Sequence, residues 1–191
     1  MKRSLIIAGL LLCSLTMFAQ EEEAVFGYGG LKLTGIWGGP TFGLAGFENE
    51  NAYLRGGFGG LEFSKKFYIA YAAYWLDDNI EFAQYPDQKL DFRYKGLMLG
   101  YSMLSSKVVH PKITFLAAGG RIEFDNEERD NVLVLQPAGG IEVNLFKWLH
   151  IDVLGGYRIV SNTSLSEISD SDFSGAFGEI KLNFGISWAW Y

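Results

Sequence analysis

Apolar and polar side chains alternate in segment after segment of this chain, most cleanly over residues 176–191, AFGEIKLNFGISWAWY. There Ala176, Gly178, Ile180, Leu182, Phe184, Ile186, Trp188 and Trp190 share one parity, while Glu179, Lys181, Asn183 and Ser187 share the other. A period of two is the repeat of a strand whose side chains point to opposite faces. The segment is also longer than an ordinary globular strand of ~5–6 residues. The same reading predicts seven further strands, over residues 26–39, 53–63, 67–76, 90–103, 112–124, 131–146 and 148–160. Pro137 falls inside the sixth and, lacking a ladder donor, predicts a bulge or a local break there.

The connections alternate as well. Those after the second, fourth and sixth strands (64–66, 104–111 and 147) are short or moderate. Those after the first, third, fifth and seventh (40–52, 77–89, 125–130 and 161–173) are generally longer and more polar. An even strand count, with short turns at one end and long loops at the other, predicts an antiparallel up-and-down barrel closed by pairing of the last strand with the first.

Alternation does not by itself say which face is wet. A soluble eight-stranded barrel puts its apolar face inside, and a membrane barrel puts it outside. Three observations favour the membrane. Large apolar residues run along whole strand faces. The opposite faces carry both signs of charge, with Lys32, Arg93, Lys95, Arg121, Arg158 and Lys181 against Glu62, Asp91, Glu123, Glu142, Asp152 and Glu179. In a narrow lumen six bases and six acids can neutralise one another, as buried charges must. Aromatics also gather near strand ends: Trp148, Trp188, Trp190 and Tyr191 toward one, Trp37 and Trp75 toward the other, as in the interfacial girdles of membrane barrels. The competing readings are a soluble barrel and a secreted sandwich with core aromatics.

The first residues change the compartment. Lys2 and Arg3, the apolar run 5–15 and the small residue Ala19 read as a secretory signal peptide over 1–19, leaving a single barrel domain over 20–191. A lipoprotein signal at Cys13 would want a small residue before it and meets Leu12. Cys13 is the only cysteine, so the 172-residue remainder has no disulfide option. Without Lys2 and Arg3 the balance is 14 basic against 22 acidic residues, net −8, which argues against nucleic acid.

With a signal peptide, eight strands, loop asymmetry and a terminal aromatic strand, the chain resembles the small eight-stranded outer-membrane barrels of the OmpA and OmpX type. The closing Gly185-Ile186-Ser187-Trp188-Ala189-Trp190 resembles the signal by which such barrels are recognised by the outer-membrane assembly machinery, although Tyr191 trails it and Phe184 stands where a polar residue is usual. The Gly-Gly-x-Glu hairpins at 59–62 and 139–142, and the Ala-Gln-Glu-Glu junction at 19–22, resemble porin-like barrels of Bacteroidetes bacteria. The resemblance implies outer-membrane lipid and lipopolysaccharide as partners, a monomer, and both termini in the periplasm.

Candidate chemistry is sparse. His110 and His150 fall beside short turns, and no Ser-His-acid set follows from spacing, so both read as surface or turn residues. Asp77-Asp78 reads as a solvated rim pair. Glu127, Glu128 and Asp130, and Glu167, Asp170 and Asp172, lack the spacing of a calcium loop. The paired glycines precede no helix and imply no phosphate cradle. No catalytic residue, metal site or cofactor is expected. The expected function is structural or surface-interacting, with the lumen filled by the twelve charges named above. The alternatives are a lipid-modifying enzyme on the same barrel and a soluble secreted barrel.

Overall fold

The computed structural model describes residues 31–47, 50–77, 90–124, 129–163 and 169–188. Its strands are β1 (Leu33–Phe47), β2 (Glu50–Phe63), β3 (Phe67–Leu76), β4 (Leu90–Ser102), β5 (Val109–Phe124), β6 (Arg129–Phe146), β7 (Leu149–Ser161) and β8 (Gly175–Ser187). Each pairs antiparallel with the next, and β8 returns to β1, closing the barrel. Closure removes both sheet edges, so every strand finds ladder partners on both sides.

Short turns at 64–66, 103–108 and 147–148 lie at one end, where β1 also begins and β8 ends. This is the turn end; the opposite one is the loop end. Ser64, Lys65 and Leu104 take left-handed backbone conformations that let these turns reverse tightly.

Four strands, β2, β5, β6 and β8, start one to three residues earlier than alternation suggests. The 40–52 segment, expected as a loop, instead extends β1 to Phe47 and begins β2 at Glu50. Pro40 is accommodated because the β1–β8 ladder lapses between Gly38↔Phe184 and Thr41↔Lys181 without a change of register, while β1–β2 pairing runs on. At the lapse the Leu182 carbonyl approaches so closely that a Cβ on Gly39 would collide with it. Pro137 behaves in the same way. The β6–β7 pairing skips it between Leu135↔Ile159 and Ala138↔Gly156, a local break with no bulge. Pro111, expected in a turn, lies within β5 opposite Ile141.

The outer surface carries an apolar belt around the barrel, with Ile36 and Leu44 on β1, Ile69 on β3, Leu97 and Leu99 on β4, Ile113 on β5, Ile141 on β6, Val153 on β7 and Ile180 on β8 all exposed. A continuous belt of this kind far exceeds the few-hundred-Å² patches that water-soluble monomers tolerate, and it matches a hydrocarbon environment. No helix among the described residues is long and apolar enough to cross a membrane.

Candidate functional site

The lumen divides into two halves. At the loop end it is packed with aromatic and aliphatic side chains. Phe47, Phe92 and Phe173 meet with ring centroids 5.6–6.4 Å apart. The Arg158 guanidinium lies 4.0 Å from the centre of the Phe47 ring, donates from Nε to the Phe173 carbonyl (2.8 Å) and from Nη2 to the Gly46 carbonyl (2.9 Å), and is 0% exposed. Arg158 therefore staples β7 to both β1 and the β7–β8 connection. Below this plug, Tyr74 and Tyr94 stack at 5.0 Å. Tyr94 donates to Gln136 Oε1 (2.8 Å) and Tyr74 to Glu179 Oε2 (3.0 Å), and Lys181 Nζ lies 3.0 Å from Glu179 Oε1. The void beside Tyr74, Tyr94, Gln136 and Glu179 measures about 10 Å³, at the lower limit for one water.

Toward the turn end the lumen becomes polar and opens. Glu142 of β6 is the hub. Its Oε1 lies 2.8 Å from His150 Nδ1, while Oε2 lies 3.0 Å from Lys112 Nζ and 3.3 Å from His110 Nε2, and accepts a bond from Ser102 Oγ at 2.9 Å. Lys112 Nζ also reaches Asp152 (2.8 Å), whose other oxygen accepts from Asn183 Nδ2 (2.7 Å). The His150 ring packs against Trp37 at a 31° tilt, with centroids 4.1 Å apart. Beyond this layer a vestibule of about 870 Å³ opens among the turns, with Trp37, Glu62 and Tyr68 on its wall.

The structure places the predicted lumen charges in two groups. Glu62, Glu142, Asp152, Arg158, Glu179 and Lys181 point inward. Asp91, Arg93, Lys95 and Arg121 are exposed on the outer face, and Glu123 is bonded there to Arg93 and Arg129. Lys32 is exposed ahead of β1. The correction on β4 is a reversal of faces. Leu90, Phe92, Tyr94 and Met98, expected toward lipid, are buried in the lumen, and on β5 so are Leu116, Ala118 and Ile122. Pairing explains it. Tyr94 sits opposite Tyr74, and both complete the aromatic filling, which turns Arg93 outward between Trp75 and Arg121. A lumen filled half by charges and half by apolar groups replaces the all-charged one.

The aromatic expectations divide in the same way. Trp75 is outward at the loop end, beside Arg55. Trp148 is outward at the turn end, stacked between Phe146 (5.4 Å) and Phe184 (6.3 Å). Trp37 is not a girdle residue: it is 5% exposed on the lumen face, its Nε1 donating to Ser187 Oγ. Trp188 follows β8 at the turn end, half-buried, and Trp190 and Tyr191 lie outside the described residues.

His110 and His150, expected at the surface, are lumen residues, with His110 2% exposed. They and Lys112 are what sequence reasoning missed. The signal was present, since His110, Lys112 and Thr114 share one parity against Pro111, Ile113 and Phe115. Reading Pro111 as a turn residue hid it. Of the loop acids, Asp77 pairs with Arg55 (2.8 Å), Asp170 accepts from the Thr163 backbone N–H, and Asp172 accepts from that of Ser169. Asp130 is the second residue of β6 and is buried. Asp78, Glu127, Glu128 and Glu167 lie outside the described residues. Among the described residues no cluster of acids and histidines is arranged to hold a metal.

On the outside at the loop end, Arg55, Trp75, Arg93, Arg121 and Asn131 form one row of directly paired positions across β2–β6. Arg93 and Arg121 are immediate cross-strand neighbours, and Lys95 is diagonal to Arg121.

Two solved barrels are similar to this chain in fold. One is Neisserial surface protein A, at 11% identity and a TM-score of 0.55, covering 83% of this chain and 99% of that one. The other is Ail, the attachment invasion locus protein of Yersinia pestis, solved in complex with the heparin analogue sucrose octasulfate, at 16% identity and a TM-score of 0.51, covering 81% of this chain and 97% of that one. No curated protein matches the chain. The model of the outer membrane protein beta-barrel domain matches residues 5–187, nearly the whole sequence, and in keeping with the closed eight-stranded barrel and its apolar belt, the chain belongs to that family.

Proposed function

We propose that this barrel is a sealed, non-catalytic outer-membrane protein that acts through its outward and loop-end surfaces, with its turn end and both termini in the periplasm. The observation that carries the reading is the plug of Phe47, Phe92, Phe173 and Arg158, each at most 1% exposed. A lumen packed at that density has no water column along which an ion or solute could pass. The polar cluster at the other end supports a structural role over catalysis. Ser102 gives its hydroxyl to Glu142, and both histidines converge on the same carboxylate, so the serine lacks the adjacent imidazole base that nucleophilic catalysis needs.

The outer row of cations supports a lipid partner. Like charges placed directly opposite on a sheet are destabilising. Asp91 (3.6 Å) and Glu123 (3.5 Å) reach Arg93, while Lys95 is exposed just below. Phosphate groups of lipopolysaccharide, at the level of the interfacial Trp75, would relieve that repulsion. Association with the assembly machinery through the terminal aromatic strand and a monomeric state belong to the same reading.

Planar-bilayer recording tests it. The barrel should insert and give no discrete conductance steps, and reproducible single-channel openings would overturn the sealed reading. For the enzymatic alternative, lipid A from cells carrying His110→Ala and His150→Ala should be unchanged by mass spectrometry. A changed lipid profile would favour the lipid-modifying enzyme.

A further inference from the structure

The turn end is basic in a way that the lumen does not require. Lys65, Lys66, Lys107 and Lys147 come from three separate turns and stand, all exposed, around the mouth of the vestibule. None of the four makes an ion pair with another described residue. The turns themselves, 64–66, 103–108 and 147–148, contain no Asp or Glu, although the chain has 22 acidic against 16 basic residues, so this end departs from the chain's own composition. The inward carboxylates are answered by other partners. Glu142 and Asp152 share Lys112, Glu179 holds Lys181, and Glu62 accepts from the hydroxyls of Thr34 and Ser187. The four rim lysines are therefore surplus to the barrel's internal neutralisation.

Their neighbours set their depth. Each turn passes from lysine straight to an exposed apolar residue: Lys66 to Phe67, Lys107 to Val108 and Lys147 to Trp148. Beside the last of these, Trp148 is stacked between Phe146 and Phe184 on the outer face. Aromatics in such positions mark the level of lipid headgroups. A lysine one residue away can lay its alkyl stem on that surface and hold its ammonium among the phosphates. The same pairing recurs at the entry to β3, β5 and β7, so it repeats along the rim.

The chemistry of the partner follows from the charge and from the apolar neighbours. A soluble anion that entered the vestibule would approach Glu62 and Glu142 on its wall. The lysines fit instead an anion that stays at the rim while its apolar part lies against Phe67, Val108 and Trp148. The phosphate of a zwitterionic lipid already carries its own cation, whereas that of an anionic lipid does not. We propose that the turn-end rim is a docking surface for anionic glycerophospholipids such as phosphatidylglycerol. The lysines meet the phosphodiester, and the outward apolar residues meet the acyl chains. The proposal goes beyond the sealed-barrel reading and does not depend on it; with the turn end in the periplasm, the lipids are those of the periplasmic leaflet.

The test is native mass spectrometry of the folded barrel in detergent, offered equimolar dioleoylphosphatidylglycerol and dioleoylphosphatidylcholine. One lysine near an anionic lipid surface is worth about a fivefold preference. Bound phosphatidylglycerol should therefore exceed bound phosphatidylcholine about fivefold or more. The excess should fall toward parity in the quadruple variant Lys65→Gln, Lys66→Gln, Lys107→Gln, Lys147→Gln, and it should shrink as ammonium acetate is raised. The triple variant Arg93→Gln, Lys95→Gln, Arg121→Gln should keep it, so a failure at the rim is read separately from a failure of the loop-end row. Heat-modifiable gel migration verifies folding, and the substituted lysines all lie in exposed turns. Equal uptake of the two lipids by the unaltered barrel, or an excess that survives loss of the four lysines, would overturn the proposal. So would displacement of the bound lipid by an equal concentration of glycerophosphoglycerol or tetraglutamate, which would make the rim a site for soluble anions. Each of these results would leave the sealed-barrel reading standing, because that reading is tested by conductance.

Discussion

The two halves of the lumen solve the same problem with opposite chemistry. Both must fill the interior of a closed eight-stranded wall. The loop-end half does so with rings, and its buried Arg158 is held by carbonyls and aromatic faces. The turn-end half does so with ion pairs centred on Glu142 and remains open to solvent beyond them. Apolar packing can close a lumen to water, because close-packed side chains leave no space for it. A charged cluster needs partners for every oxygen and hydrogen, and it tolerates or even requires neighbouring water. The difference fits an object sealed on one side and receptive on the other.

Removing a charge from the turn-end half should hurt most. Lys112→Met leaves Glu142 and Asp152 buried without their shared cation, and should destabilise by about 3–5 kcal/mol, read as a lowered urea midpoint in gel-shift unfolding. The triple variant with Glu142→Gln and Asp152→Asn should recover a large part of that loss. In the loop-end half, Phe92→Ala opens a cavity beside Phe47 and Phe173 and should cost about 3 kcal/mol by the same assay. A loss of well under 1 kcal/mol would mean that the rings do not form a packed plug.

Tyr94→Phe keeps the stack on Tyr74 and removes the bond to Gln136, so about 1 kcal/mol is expected. The smallest effect lies outside the lumen. The Thr163 backbone N–H holds the exposed Asp170 carboxylate below the usual range. A depressed carboxylate contributes stability above its unfolded value and loses it as pH falls through the folded one. Slowed hydrogen exchange at the Thr163 amide should therefore persist at neutral pH, fade under acid conditions, and be missing at every pH in Asp170→Ala.

Strand number, closure and turn placement were legible in the sequence because alternation and turn chemistry are local. The direction of each face was less so. Alternation divides β4 into Leu90, Phe92, Tyr94 and Met98 against Asp91, Arg93 and Lys95, but it carries no sign. The sign is set by what the neighbouring strands present, and Tyr74 across the β3–β4 ladder draws Tyr94 inward. On β6, β7 and β8 the lumen parity ends in Glu142, Asp152 and Glu179 near the barrel's middle, where charge cannot face lipid, so there sequence and structure agree on direction. Arg93 and Arg121 lie past the apolar belt, where charge meets headgroups, and burial logic lost its force. The Glu142 cluster was hidden for a different reason. Its members come from β4, β5, β6 and β7, and Pro111 disguised the start of β5.

Thiol accessibility compares the two halves most directly. The only native cysteine, Cys13, precedes the barrel, so single cysteines can be read without background once it is replaced. Ser102→Cys places a thiol at the turn-end cluster and Val134→Cys places one in the packed half, where Val134 is 0% exposed. With the barrel in nanodiscs, which leave both ends open to solvent, a membrane-impermeant maleimide should modify position 102 readily and position 134 only after unfolding in urea. Modification of position 134 in the folded barrel at a rate comparable to position 102 would contradict the seal.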